Sequence, residues 1–280
     1  MRTLYHRSRI LFWLAIANAA LYALFMAADA LGARYPVGAA IGAPELAIPS
    51  DWLKYASICV CFALSLAVAR RTPYKRDARR QVAALAFTLV ADYLILFTPH
   101  FAAGIAVFCG AHLTAIDRYA GRAITKRMAV AAGAIAAMLI IIALIYTRIN
   151  QATSEISGNQ EDTYDIKSGL ADGISQYAVP IAAVVYAILI TAVTIAAFKR
   201  RQARANNILS RLGMILFLLC DVNVLLWNMR TMAGFTEIPA WTVKIIWMFY
   251  LPGQTMLALS AYDFDADRTP CCPTHETKIA

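Results

Sequence analysis

The chain has 280 residues, is 60% hydrophobic and 15% charged, and carries a net charge of +9. Soluble domains run at about 45–50% apolar and about 25% charged, so a single soluble globule is excluded at the outset. The basic excess is not a nucleic-acid footprint either, because it falls in short clusters between long apolar runs rather than along one polar face.

Eight of those runs have the roughly 17–25 mostly apolar residues that a helix needs to cross a bilayer core. In chain order they are Ile10–Leu31, Trp52–Val68, Val82–Thr98, Phe101–Ile116, Met128–Tyr146, Ile174–Phe198, Leu209–Met229 and Trp241–Ala261. Backbone groups in lipid must find partners within their own segment, so each run reads as a helix. Gly104, Gly110, Gly133 and Gly213 within them suit close helix packing. The fold class expected is an all-α polytopic membrane protein, one bundle of eight transmembrane helices over residues 1–280.

Charge sets the orientation. Arg2, Arg7 and Arg9 lead the first span, and clusters beginning at Arg70, Arg118 and Lys199 follow the second, fourth and sixth. With Arg268 and Lys278 in the tail, 20 of the 26 basic residues lie on one side. The opposite loops hold only Arg34, Arg148, Lys167 and Arg230. The positive-inside rule then puts both termini in the cytoplasm. The first span is too long for the 7–15-residue core of a signal peptide, and the alternation needs it retained. The longest polar stretch, an acidic loop at about 148–173, falls outside and shows no helical or strand pattern. A short tail, 263–280, returns to the cytoplasm. The third and fourth spans form a hairpin joined by little more than Pro99–His100.

Two residues break the apolar rule. Asp92 and Asp221 each sit within a span, where a carboxylate costs roughly 2.5–3.5 kcal/mol on insertion scales. Such residues face a bundle interior and serve a function. At a rise of about 1.5 Å per residue they lie roughly 15 and 18 Å from the basic end, near the middle of a 30 Å core. His112 and Tyr250 reach similar depth from the other side, and Gln254 lies one turn beyond Tyr250. Asn228 and Asn18 are further candidates for inward-facing polar groups. His112 alone could be a packed interior residue, Tyr250 a structural aromatic among Trp241, Trp247 and Phe249, and Gln254 a tie between helices. Lys54 and Lys244 lie just inside the outer ends of their spans. Snorkelling accounts for both; the alternative is a positive rim that receives a phosphate.

Cys59, Cys61, Cys109 and Cys220 fall in spans and read as small hydrophobes, and Cys271 and Cys272 as bystanders in the tail. There is no C-x-x-C pair. Of the histidines, His6 and His275 lie in the termini and His100 in a loop, too few inside for the three ligands of a catalytic zinc. Lys244 is too near the edge to serve as a retinal-binding lysine.

The stretch Ala91-Asp92-Tyr93-Leu94-Ile95-Leu96, followed by Gly104, Phe108 and His112, resembles the signature of the YhhN-like lysoplasmalogenase family. Leu218-Leu219-Cys220-Asp221-Val222-Asn223 looks like that family's second aspartate motif, and Phe249-Tyr250-Leu251-Pro252-Gly253-Gln254 like its closing aromatic–Gln helix. Lys54 fits the lysine of its second helix. Ala91 and Cys220 stand where the family usually has Gly and Ser, and Pro252-Gly253 reads as an insertion.

The resemblance implies hydrolysis of the vinyl-ether bond of a lysoplasmalogen to a fatty aldehyde and a glycerophospho-headgroup. Asp92 and Asp221 would be the catalytic acid and base, in either order. His112, Tyr250, Gln254 and Asn223 would position water or substrate, and Lys54 and Lys244 would meet the phosphate. No cofactor or metal is implied. The partner expected is a lysophospholipid arriving from the bilayer, and the location a bacterial cytoplasmic membrane. A proton-coupled transporter or another lipid-binding membrane protein is the rival reading, since buried carboxylates also mark proton pathways. No inverted repeat with matching broken helices speaks for it.

Overall fold

The computed structural model describes residues 9–32, 50–98, 100–135, 137–138, 140, 166–200, 204–232 and 242–264. Within these it is entirely helical. The helices are α1 (Arg9–Gly32), α2 (Ser50–Arg71), α3 (Lys75–Phe97), α4 (Phe101–Ala120), α5 (122–135), α6 (Ile166–Lys199), α7 (Arg204–Met232) and α8 (Thr242–Leu259). Five of them, α1, α2, α3, α6 and α7, contain a stretch long and apolar enough to cross a membrane, and the apolar part of α8, Ile245–Leu259, is shorter. Large side chains such as Trp13, Phe87, Val90, Ile188 and Leu225 face outward, while Asn18, Gln81, Asp92, His112 and Gln254 are buried. An apolar exterior around a polar interior is what an integral membrane protein presents to lipid.

Neighbours in sequence pack against each other, and α8 closes the ring by packing on α7, α2, α3 and α1. The closest crossings are made where glycine removes a side chain. A Cβ on Gly213 of α7 would meet Leu257 Cγ at 2.9 Å and the Gly253 carbonyl of α8 at 3.1 Å. Gly104 and Gly110 of α4 are similarly covered by Ile95 and Phe87 of α3, whereas Gly133 has open space. Pro252, inside α8, has no N–H to donate to the Met248 carbonyl. The Tyr22 hydroxyl of α1 lies 3.5 Å from that oxygen, so the proline is accommodated by a neighbouring helix.

Contacts among basic loops show that these helix ends share one end of the bundle, called here the basic end. Lys75 Nζ donates to the Ala69 and Arg70 carbonyls and so caps α2. Arg118 of α4 is buried and grips Asp77 of α3 through Nε and Nη2, at 2.9–3.1 Å. Arg118 Nη1 also donates to Gln81 Oε1, the Tyr119 hydroxyl and Ser260 Oγ. Arg200, after α6, shares Asp77, and Arg80 pairs with Asp117. Asn206 of α7 donates to the Ser260 and Tyr262 carbonyls that end α8. Isolated, a buried guanidinium would be prohibitive; here nearly every donor is answered.

Two expectations need correction. The acidic loop expected over 148–173 is helical from Ile166 on, and 148–165 lie outside the described residues. The fourth helix runs past Ile116 to Ala120 because Asp117 and Arg118 find partners instead of ending it. Gly121, with φ of 89°, then breaks the chain direction in a conformation that L side chains rarely adopt. The last part of the predicted fifth span, from 141 on, the tail with Cys271 and Cys272, and His6 and His275 lie outside the described residues. So do the side chains of Asn228 and Lys244.

Candidate functional site

The two aspartates do not face lipid, and each has acquired a tyrosine. Asp92 on α3 is 4% exposed, and its Oδ2 accepts a hydrogen bond of 2.6 Å from the Tyr250 hydroxyl of α8. Asp221 on α7 accepts one of 2.9 Å at Oδ1 from the Tyr186 hydroxyl of α6. Its Oδ2 is closed off and has no hydrogen-bond partner. A carboxyl at this depth would otherwise have only hydrocarbon around it, so the phenol is the group that makes its burial tolerable.

A block of aromatic rings joins the two pairs. Phe108 of α4 lies between the tyrosines, 6.1 Å from the Tyr186 ring and 6.4 Å from that of Tyr250. Phe217 is 5.5 Å from Tyr250 and 5.4 Å from His112, which packs 4.7 Å from Tyr186. Cys220, buried beside Asp221, is within electrostatic reach of both carboxyls. Such a setting suits chemistry that needs acid, base and little bulk water.

His112 and Gln254 are almost fully buried, and the Nε2 atoms of both lack a protein partner. Both line a pocket of about 20 Å³ with Gln81, Thr88, Met214 and Phe217 among its walls. Asn223, by contrast, donates to the Leu219 carbonyl of its own helix at 2.8 Å. Lys54 is buried, not snorkelled. Its Nζ sits 3.3 Å from Asp29 and 3.2 Å from Asp51, donates to Ser50 Oγ at 3.1 Å, and lies 5.3 Å from the Trp247 ring. Trp247 packs on Tyr250 at 5.4 Å, which links the lysine to the carboxyl site through one aromatic layer. Asn18 is inward-facing as expected, donating to Thr255 at 2.7 Å and accepting from Ser57.

Sequence reasoning missed Tyr186. It stands in an unbroken apolar run, where a phenol passes as one more aromatic. The available signal was physical: a tyrosine hydroxyl inside lipid needs a hydrogen-bond acceptor, and few acceptors exist at that depth. Among the described residues, no group of three or more His, Cys, Asp or Glu side chains could hold a metal ion.

The YhhN family model matches residues 51–261, a span that takes in Lys54, Asp92, His112, Tyr186, Asp221, Tyr250 and Gln254, while Asn18 and Asp29 precede it. This chain belongs to the YhhN family. No curated protein and no solved structure matches it. Within this YhhN-family chain, the match begins at Asp51, one of the two carboxylates holding Lys54, and ends beside Tyr262.

Proposed function

We propose that this protein hydrolyses the vinyl-ether bond of lysoplasmalogens, with eight membrane-spanning helices and the basic end in the cytoplasm. The observation that carries the reading is the pairing of two membrane-buried carboxyls with two tyrosine hydroxyls around a common aromatic block. Family membership supports it.

A vinyl ether opens when its outer alkene carbon takes a proton, leaving an oxocarbenium cation at the carbon bonded to oxygen. Water adds there and loses a proton, and the hemiacetal collapses to an aldehyde and the glycerol hydroxyl. Asp221 has an oxygen free of protein partners, Oδ2, and is the acid in this scheme. Asp92, ionised and held by Tyr250, faces the cation and takes the proton from water. Burial disfavours a carboxyl's charge and a donated hydrogen bond favours it, the two effects by which one aspartate keeps its proton while the other does not in this scheme. In this reading Lys54, at the far end of the aromatic layer, and Lys244 meet the phosphate, and Asn223 helps to position the substrate.

Purified protein incubated with lysoplasmenylethanolamine should release long-chain aldehyde, and Asp92→Asn and Asp221→Asn should each slow that release by about 100-fold or more. Equal aldehyde from wild type and both variants would refute the assignment. Proton-coupled flux in proteoliposomes without aldehyde would favour the transporter reading.

A further inference from the structure

The pocket beside the carboxyls has the size and lining of a site for one small polar molecule. At about 20 Å³ it exceeds the about 10–15 Å³ that a water requires and falls far below any lipid fragment. Two side chains with unpartnered nitrogens, His112 and Gln254, form part of its wall, at 2% and 1% exposure. Thr88 adds an oxygen whose proton is already given to the Ala84 carbonyl at 3.1 Å, leaving its lone pairs to accept. Water is ordered in a protein interior when it has two to four such partners.

Position follows from the helices. Thr88 precedes Asp92 by one turn on α3, Phe217 precedes Asp221 by one turn on α7, and Gln254 follows Tyr250 by one turn on α8. All three steps run the same way, toward the basic end. Gln81, in the same wall, accepts from Arg118, which also holds Asp77 and Ser260. Polar groups therefore continue from the carboxyl level to the basic end.

We propose that this pocket binds a single water, held by His112 Nε2, Gln254 Nε2 and Thr88 Oγ1, and that it is the water consumed by the reaction, replenished from the basic end past Gln81 and Arg118. The second half of that statement rests on the hydrolase reading; the first does not. Gln254 donates to the water oxygen, and the water donates to Thr88. His112 completes the set, leaving an oxygen lone pair one turn from the cation that Asp92 faces.

Synchrotron hydroxyl-radical footprinting in ¹⁸O-water tests the site directly, because a bound water generates radicals that oxidise the side chains it touches. Phe217, 5% exposed, should be labelled at least about tenfold faster than Phe25, a fully buried phenylalanine outside the pocket wall. Gln254→Leu and Thr88→Val should each abolish the excess. Labelling at Phe217 no faster than at Phe25 in the wild-type protein overturns the site, whatever the variants do. The same preparations, assayed for aldehyde, separate the two claims. Labelling without aldehyde from any lysoplasmalogen keeps the water site and removes its role in hydrolysis. With aldehyde formed, Gln254→Leu should lower kcat by tenfold or more with KM within twofold; a change in KM alone overturns the role.

Discussion

Tyr250→Phe removes one oxygen atom and leaves the ring that packs between Phe217 and Trp247. What is lost is the 2.6 Å hydrogen bond to Asp92 Oδ2, at a residue only 4% exposed. A hydrogen bond to a charged group contributes about 1.5–3 kcal/mol. If Asp92 carries its charge opposite the developing cation, that stabilisation acts in the transition state. At 1.36 kcal/mol per tenfold, kcat should fall by about 10- to 150-fold. KM should stay within a few-fold, because the ring and its packing remain. Steady-state aldehyde release from lysoplasmenylethanolamine measures both constants, with circular dichroism to check that helix content is kept. The informative comparison is a double-mutant cycle. Tyr250→Phe in an Asp92→Asn background should cost nothing further, since the hydroxyl acts only through that carboxyl. Wild-type kcat for Tyr250→Phe, or an additive loss in the double variant, would refute the coupling.

Tyr186→Phe should act through Asp221 in the same way, lowering kcat about tenfold or more. A fall in thermal stability with kcat unchanged would show that this phenol only solvates a structural carboxyl. Gly213→Ala forces a methyl against Leu257 and the Gly253 carbonyl, so unfolding in detergent should show a loss of about 1–3 kcal/mol, while Gly133→Ala should be neutral. Arg118→Met leaves Asp77 to Arg200 alone, so its cost in the same unfolding assay should fall below the about 3–5 kcal/mol of breaking a buried pair from one side outright. Arg118→Lys should not rescue it, because one ammonium cannot reach Asp77, Gln81 and Ser260 together. Lys54→Met should raise KM severalfold with kcat within twofold; a lowered melting temperature with both constants unchanged would confine Lys54 to its ion pairs with Asp29 and Asp51.

Apolar length made the helices legible, and its failures are equally physical. Hydropathy ends the fourth span at the first charge, yet a helix continues while its charges have partners, as Asp117 and Arg118 do. Helix α6 likewise reaches back to Ile166, into sequence that reads as a polar loop. Burial of Asp92, His112, Tyr250 and Gln254 was readable from depth counting alone, because a polar group at mid-membrane has few places to face. Partners were not readable, since they come from helices remote in sequence: Tyr250 lies 158 residues from Asp92. Lys54 near a span end looked like a snorkelling side chain because nothing local reveals Asp29 across the α1–α2 crossing. Asn223 stands within the aspartate motif, and its amide nitrogen finds a partner on its own helix, the carbonyl four residues back, as short amides do.

The polar interior is uneven along the bundle axis, and that unevenness bears on how two unlike reactants could meet. On the basic side of the carboxyls come Thr88, Gln254, His112, Gln81 and then the Arg118–Asp77 pair, a series of hydrogen-bonding groups. On the other side come Trp247, Phe25 and Tyr22, with Lys54 and Asp29 beyond the aromatic layer. Hydrogen-bonding groups favour water on the first side and aromatic packing disfavours it on the second; a single-chain amphiphile with an anionic headgroup fits the reverse description. Under the proposed reaction, the site lies where a wet half and an oily half of the same bundle touch. Keeping them apart except at Asp92 and Asp221 would protect the oxocarbenium from premature water. It would also let only one molecule of it reach the cation at a time.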